Sequence, residues 1–190
     1  GEQMDTEGKQ LGEEYQMIRA EIMNCINLQN TLSTFLVTAV TALLALAFTN
    51  MNPWLFLLPY VVILPIGCGI LHYRTNVLKL SSYLIAFLEP HMQAMQWETR
   101  HAEYTKAKDL DRLFVFRNYL SVFLSVIVYL LFLYSYLSPA RYIGVLQILV
   151  CVLPLLPTGY MIFLSVLTHR KYSKRAEFVK QWKEISVKQN

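Results

Sequence analysis

The sequence predicts an all-α, polytopic membrane protein with four transmembrane helices in two hairpins and cytoplasmic helical extensions. Three observations predict it. Hydrophobic residues make up 55% of the 190 residues and charged ones only 16%, against roughly 25% charge in an ordinary soluble domain. Between Ile22 and Tyr73 there is no Asp, Glu, Lys or Arg, a run long enough for two crossings of about 20 residues each. Two further charge-free apolar stretches, from Asn118 to Leu137 and from Tyr142 to Leu167, supply a second pair.

The elements follow in order, as five segments: 1–27, 28–71, 72–117, 118–168 and 169–190. The polar start to Gln10 is expected to fray, with a helix beginning at Leu11. There Leu11, Tyr15, Ile18, Ile22 and Cys25 recur at steps of four and three, the spacing of a coiled-coil-like seam. That helix runs into the first crossing, about Leu28 to Phe48. Thr49-Asn50-Met51-Asn52-Pro53 reads as a tight turn, since Asn favours turns and Pro suits the first turn of the next helix. The second crossing, Pro53 to Leu71, is interrupted by Pro59, Pro65, Gly67 and Gly69; a kinked packing helix and a gating hinge both fit. Tyr73, Val77, Leu80, Leu84 and Phe87 then repeat the four-three spacing, so this seam is expected to pack on the first. Glu89-Pro90 should end that helix. His91 to Lys108 is polar and helix-prone, and Asp109 suits the cap of the third long helix. The fourth crossing exceeds the apolar core of about 30 Å and holds Pro154 and Pro157, so it should tilt, kink or protrude. The tail is basic, with Phe178, Trp182 and Ile185 on one face.

One face of the first crossing is unusual. Asn24, Asn27, Thr31, Thr34, Thr38, Thr41 and Ala45 alternate steps of three and four, which keeps them in one stripe on an otherwise apolar helix. Hydroxyls and amides within lipid need another helix or water to face. Two roles stay open: packing between helices, or lining a pore with Asn27, Thr31, Thr34, Thr38 and Thr41. A short repeat relates the hairpins, Gln29-Asn30-Thr31-Leu32-Ser33-Thr34-Phe35-Leu36 against Arg117-Asn118-Tyr119-Leu120-Ser121-Val122-Phe123-Leu124, yet the Thr stripe is not repeated.

Lys and Arg number two, seven and seven in segments 1–27, 72–117 and 169–190, against Arg141 alone in the two short turns. The positive-inside rule therefore predicts cytoplasmic termini and a cytoplasmic middle segment. The acidic N-terminus predicts no cleavable signal peptide. Cys25, Cys68 and Cys151 are scattered, which speaks against a disulfide framework, a zinc site or thiol-redox chemistry. Glu98-x-x-His101 has the spacing of a carboxylate-bridged metal motif, but one copy is a weak signal. No phosphate loop, nucleophile elbow or HExxH occurs. The reading is therefore a non-enzyme with no catalytic residue, no metal site and no cofactor. The crossings lack the acids and bases of proton-coupled transport.

The basic residues flanking the crossings carry the remaining chemistry. Arg74, Lys79, Arg100, His101, Arg112, Arg117, Arg170 and Lys171 form the candidate ligand-binding set. They fit either topology and contact with anionic lipid, or an anionic ligand held by Arg forks and neighbouring rings.

The leading helix Glu14-Tyr15-Gln16-Met17-Ile18-Arg19-Ala20-Glu21-Ile22, running straight into a hairpin, resembles the SLATT-type membrane effectors. The chain is also similar to other small four-helix membrane proteins of prokaryotic anti-phage systems. The resemblance covers roughly residues 11–90. It implies a bacterial inner-membrane effector, multi-pass with both termini cytoplasmic. It also implies a homo-oligomer, a tetramer being the expected stoichiometry. Its implied signal is a nucleotide second messenger or short oligonucleotide, with a partner nucleotidyltransferase. The expected function is an oligomeric pore that depolarises the membrane; the alternative is a membrane scaffold subunit anchoring a cytoplasmic partner protein.

Overall fold

The computed structural model describes residues 2–92, 96–108, 119–138 and 144–187. Those residues form helices α1 (Glu2–Asn50), α2 (Pro59–Tyr83), α3 (Trp97–Lys108), α4 (Leu120–Leu137), α5 (Val145–Val152), α6 (Leu155–Ser173) and α7 (Arg175–Val187), and no strand occurs among them. Four stretches are helical, long and apolar enough to cross a membrane: Gly8–Asn50, Pro53–His91, Leu120–Leu137 and Gln147–Ser173. The chain is thus an all-α polytopic protein.

The first helix begins at Glu2 rather than Leu11. Glu, Gln, Met and Lys are strong helix formers, and Gly8 and Gly12 each cost only about 1 kcal/mol inside a helix. Propagation from a helix already nucleated downstream overcomes that cost. The helix stops at Met51, whose φ of 50° lies in the left-handed region. Asn52 then accepts the Trp54 N–H at 3.1 Å, and Pro53 opens a 3₁₀ turn, Pro53–Leu57. At the far end of α2 the backbone widens into a π turn, Leu84–Leu88, followed by a 3₁₀ turn, Glu89–His91, that contains Pro90. Of the helix-prone stretch from His91, Trp97–Lys108 is helix, and residues 93–95 lie outside the described residues. The proposed Asp109 cap lies outside the described residues. The fourth apolar stretch breaks between α5 and α6, at Leu153 and Pro154, where the proline ring and its missing N–H interrupt the helical ladder.

The chain divides into two compact units. One comprises Gly1–Leu28, His72–Phe114 and Arg170–Asn190. Its core is Tyr15, Ile22, Leu84 and Leu88, with Leu11, Ile18, Val77 and Leu80 packed against them. The two seams spaced four and three apart therefore bury against each other within one protomer. The other unit comprises Gln29–Leu71 and Val115–His169. Leu36, Val40, Tyr60, Ile63, Ile70, Leu71, Val128 and Met161 form its main core. A second cluster gathers Ala47, Phe56 and Phe132, and the Trp54 ring lies 6.2 Å from Phe132 and 5.9 Å from Tyr136. Phe35, Val61, Phe123, Leu130, Leu149, Leu156 and Phe163 stay exposed on this unit, an apolar surface suited to lipid rather than water.

Candidate functional site

Helix α1 shows two faces along its length. Leu36, Val40 and Ala47 are buried, Leu36 and Ala47 completely. Asn27, Thr31, Thr34, Thr38 and Thr41 are all exposed, as are Asn24 and Ala45 at the ends of the stripe. Within the apolar unit, Thr34, Thr38 and Thr41 therefore stand on the face opposite the buried Leu36, Val40 and Ala47. Each of three hydroxyls donates back to its own helix: Thr34 Oγ1 to Asn30 O at 3.1 Å, Thr38 Oγ1 to Thr34 O at 3.0 Å, and Thr41 Oγ1 to Val37 O at 2.8 Å. This i to i−4 bonding satisfies a hydroxyl proton where no water is present.

A second set of hydroxyls is turned inward. Ser121, Ser125, Thr158, Ser165 and Thr168 are buried on α4 and α6. Tyr60 OH donates to Ser125 O at 3.0 Å and lies 2.7 Å from Thr158 Oγ1. Thr158 Oγ1 in turn reaches Pro154 O at 3.0 Å. Two protons are shared over three contacts at the start of the helix that the proline break creates. Nearby, Gly67 lets α2 come close: a Cβ there would stand 2.5 Å from Met161 Cε and 3.1 Å from Ser121 Cβ.

The polar unit is organised by two buried carboxylates. Glu89 is 2% exposed. It accepts the Glu98 N–H at 2.7 Å and the Thr99 N–H at 3.0 Å, together with the Thr99 hydroxyl. These two amides lack partners in a helix's first turn, so Glu89 caps α3 from outside it. Glu98 is 7% exposed and held from two sides. Arg19 Nη1 donates to its Oε1 at 2.8 Å and Arg175 Nη2 to its Oε2 at 3.0 Å. The cluster thereby joins α1, α3 and α7. Trp182 of α7 packs its ring 5.3 Å from Tyr83 and 6.4 Å from Phe87, while Tyr83 OH donates to Glu14 at 2.8 Å.

The described members of the sequence-derived ligand set all lie in the polar unit. Arg74 is buried, its guanidinium 4.6 Å from the centre of the Tyr172 ring, and Tyr172 OH donates to Arg74 O at 2.8 Å. Lys79, Arg100, His101 and Arg170 are exposed and Lys171 half-buried. The His101 ring stacks on Trp97 with centroids 5.9 Å apart. Arg112 and Arg117 lie outside the described residues. Glu98, read as half of a weak metal motif, is engaged by two guanidiniums instead. No group of three or more His, Cys, Asp or Glu able to hold a metal occurs among the described residues. Sequence reasoning missed the pairing of Arg19 and Arg175 on Glu98, and the capping role of Glu89. Partners 79 and 77 residues apart leave no periodic signal. Comparison with family models, with curated proteins and with solved structures finds no match to this chain.

Proposed function

We propose that this protein is an inner-membrane effector that assembles into an oligomeric pore, opened by an anionic nucleotide signal and depolarising the membrane in bacterial defence. The observation that carries the reading is the exposed Thr34, Thr38 and Thr41 face of α1. A polar row on a lipid-crossing helix is stable when copies of the chain gather it around a common, wettable axis. The apolar side of the same helix is already used inside the protomer. The Lys and Arg distribution supports cytoplasmic termini, which puts segments 72–117 and 169–190 within reach of a cytoplasmic signal and of a nucleotidyltransferase that would make it.

The test is Thr38→Leu in purified, correctly assembled protein reconstituted in liposomes. A leucine ring at that level dewets a pore, so ion flux should fall to background while the protein keeps its assembly mass. Unchanged flux would remove Thr38 from the conducting path. A second reading, a scaffold subunit anchoring a cytoplasmic partner, is favoured by the exposed Trp97 and Tyr104 on α3. In that case Thr38→Leu leaves function intact and substitution of Trp97 removes it.

A further inference from the structure

Arg19 and Arg175 approach one anion from two helices, and that anion is a carboxylate with two oxygens. Both oxygens are used, Oε1 by Arg19 and Oε2 by Arg175. Arg175 binds through Nη2 alone. Its Nε is buried and has no hydrogen-bond partner among the described residues. An arginine edge offers Nε and Nη as a parallel fork that fits two oxygens of one anion. Here that fork is half filled. Arg175 is also the first residue of α7, so it stands at the positive end of the helix dipole, beside Glu177 of the same first turn. The Nε donor of Arg175 is thus left unmet by the carboxylate that holds its Nη2.

We propose that Arg19 and Arg175 form a binding site for a terminal phosphate, a group with three free oxygens, and that the Glu98 carboxylate occupies this site in the closed state. One phosphate oxygen takes Arg19, and two fill the Nε and Nη edge of Arg175. Glu98 is displaced, and the junction it makes between α1, α3 and α7 is exchanged for one made by the ligand. The proposal rests on the reading that an anionic signal acts on this protein, and it moves the site from the wider basic set to this pair. Trp182 lies on α7, against Tyr83 and Phe87, so it reports on the exchange.

The experiment uses the full chain with Trp54→Phe and Trp97→Phe, leaving Trp182 as the emitter, in nanodiscs of neutral phosphatidylcholine. Inorganic pyrophosphate is titrated at constant ionic strength, with Trp182 emission and calorimetry as readouts. Glu98→Gln removes the competing charge and should tighten pyrophosphate binding by about tenfold or more. Adding Arg175→Gln should abolish that gain. Arg175→Lys, in the otherwise unchanged chain, keeps the charge but loses the fork, and should weaken binding; it serves as the test if Glu98→Gln does not fold. Nanodiscs containing phosphatidic acid separate two sources of the same chemistry. An Arg175-dependent response to pyrophosphate in neutral nanodiscs supports a soluble ligand, and one seen only with phosphatidic acid supports a lipid headgroup. No Arg175-dependent response to either probe overturns the site. Arg175-dependent binding that leaves liposome current unchanged supports the site and counts against the gating reading instead.

Discussion

In the second hairpin the hydroxyls of Ser121, Ser125, Thr158, Ser165 and Thr168 are buried between helices, whereas in the first those of Thr34, Thr38 and Thr41 stand on the exposed face of α1. Both rows follow helical spacing and both have apolar neighbours. The inward row lets α2, α4 and α6 approach closely, through Gly67 against Ser121 and Met161 and through Tyr60 against Ser125 and Thr158. Small residues and hydroxyls do this in membrane bundles because lipid gives no hydrophobic drive for helices to associate. The outward row has no such work within the protomer. The contrast separates two uses of the same residue type: one holds the bundle together, and the other is available to something outside it.

Substitutions can break or sharpen this contrast. The largest stability effect is expected from Gly67→Val. Met161 Cε sits at the end of a flexible side chain and can yield, but Ser121 Cβ is fixed to the backbone of α4. Overpacking there should cost about 1–3 kcal/mol, visible as a lower melting temperature in detergent and a smaller yield. A melting curve that matches the unchanged protein would mean that the inward row is not a close-packed seam. Tyr60→Phe should cost less, about 0.6 kcal/mol, the average for interhelical hydrogen bonds in membranes, and at most about 1.7 kcal/mol. Thermal unfolding of this variant beside Thr158→Val would show whether the two hydroxyls act as one network. If so, the double substitution costs less than the two single ones added together. Smallest of all is Thr38→Ser on the outward row. The hydroxyl and its bond to Thr34 O can be retained, so flux and melting temperature should stay within error of the unchanged protein. A clear loss of flux would show that the threonine methyl, not the hydroxyl, is what the outward face presents.

Much of the architecture could be read from the chain because it depends on local patterns. The four apolar stretches, the turn at Met51 to Pro53 and the interruption at Pro154 follow from composition and backbone chemistry. The two seams also carried enough periodicity to be paired in advance, Leu11 to Cys25 with Tyr73 to Phe87. The candidate site was less legible. Arg74 looked available and is covered by Tyr172, since a cation over an aromatic ring has no signature in sequence spacing. Spacing pairs Glu98 with His101, three residues on, whereas its partners are Arg19 and Arg175. Long-range ion pairs are chosen by tertiary packing, and nothing in the local pattern ranks one basic residue above another. The direction of the Thr stripe was undetermined for a related reason: periodicity says that residues share a face, not which way the face turns.

The back-bonding of the α1 hydroxyls has an electronic consequence. A hydroxyl carries one proton and two lone pairs. At Thr34, Thr38 and Thr41 the proton is directed along the helix to a carbonyl one turn earlier, so each oxygen's lone pairs are what remain for a neighbour. At these three positions the stripe therefore offers acceptors more than donors, without any formal charge. Such oxygens replace part of a cation's hydration shell and offer an anion little. Any preference for cations over anions that such a face lends to the pore proposed above is a weak one, since no charged ring lines it.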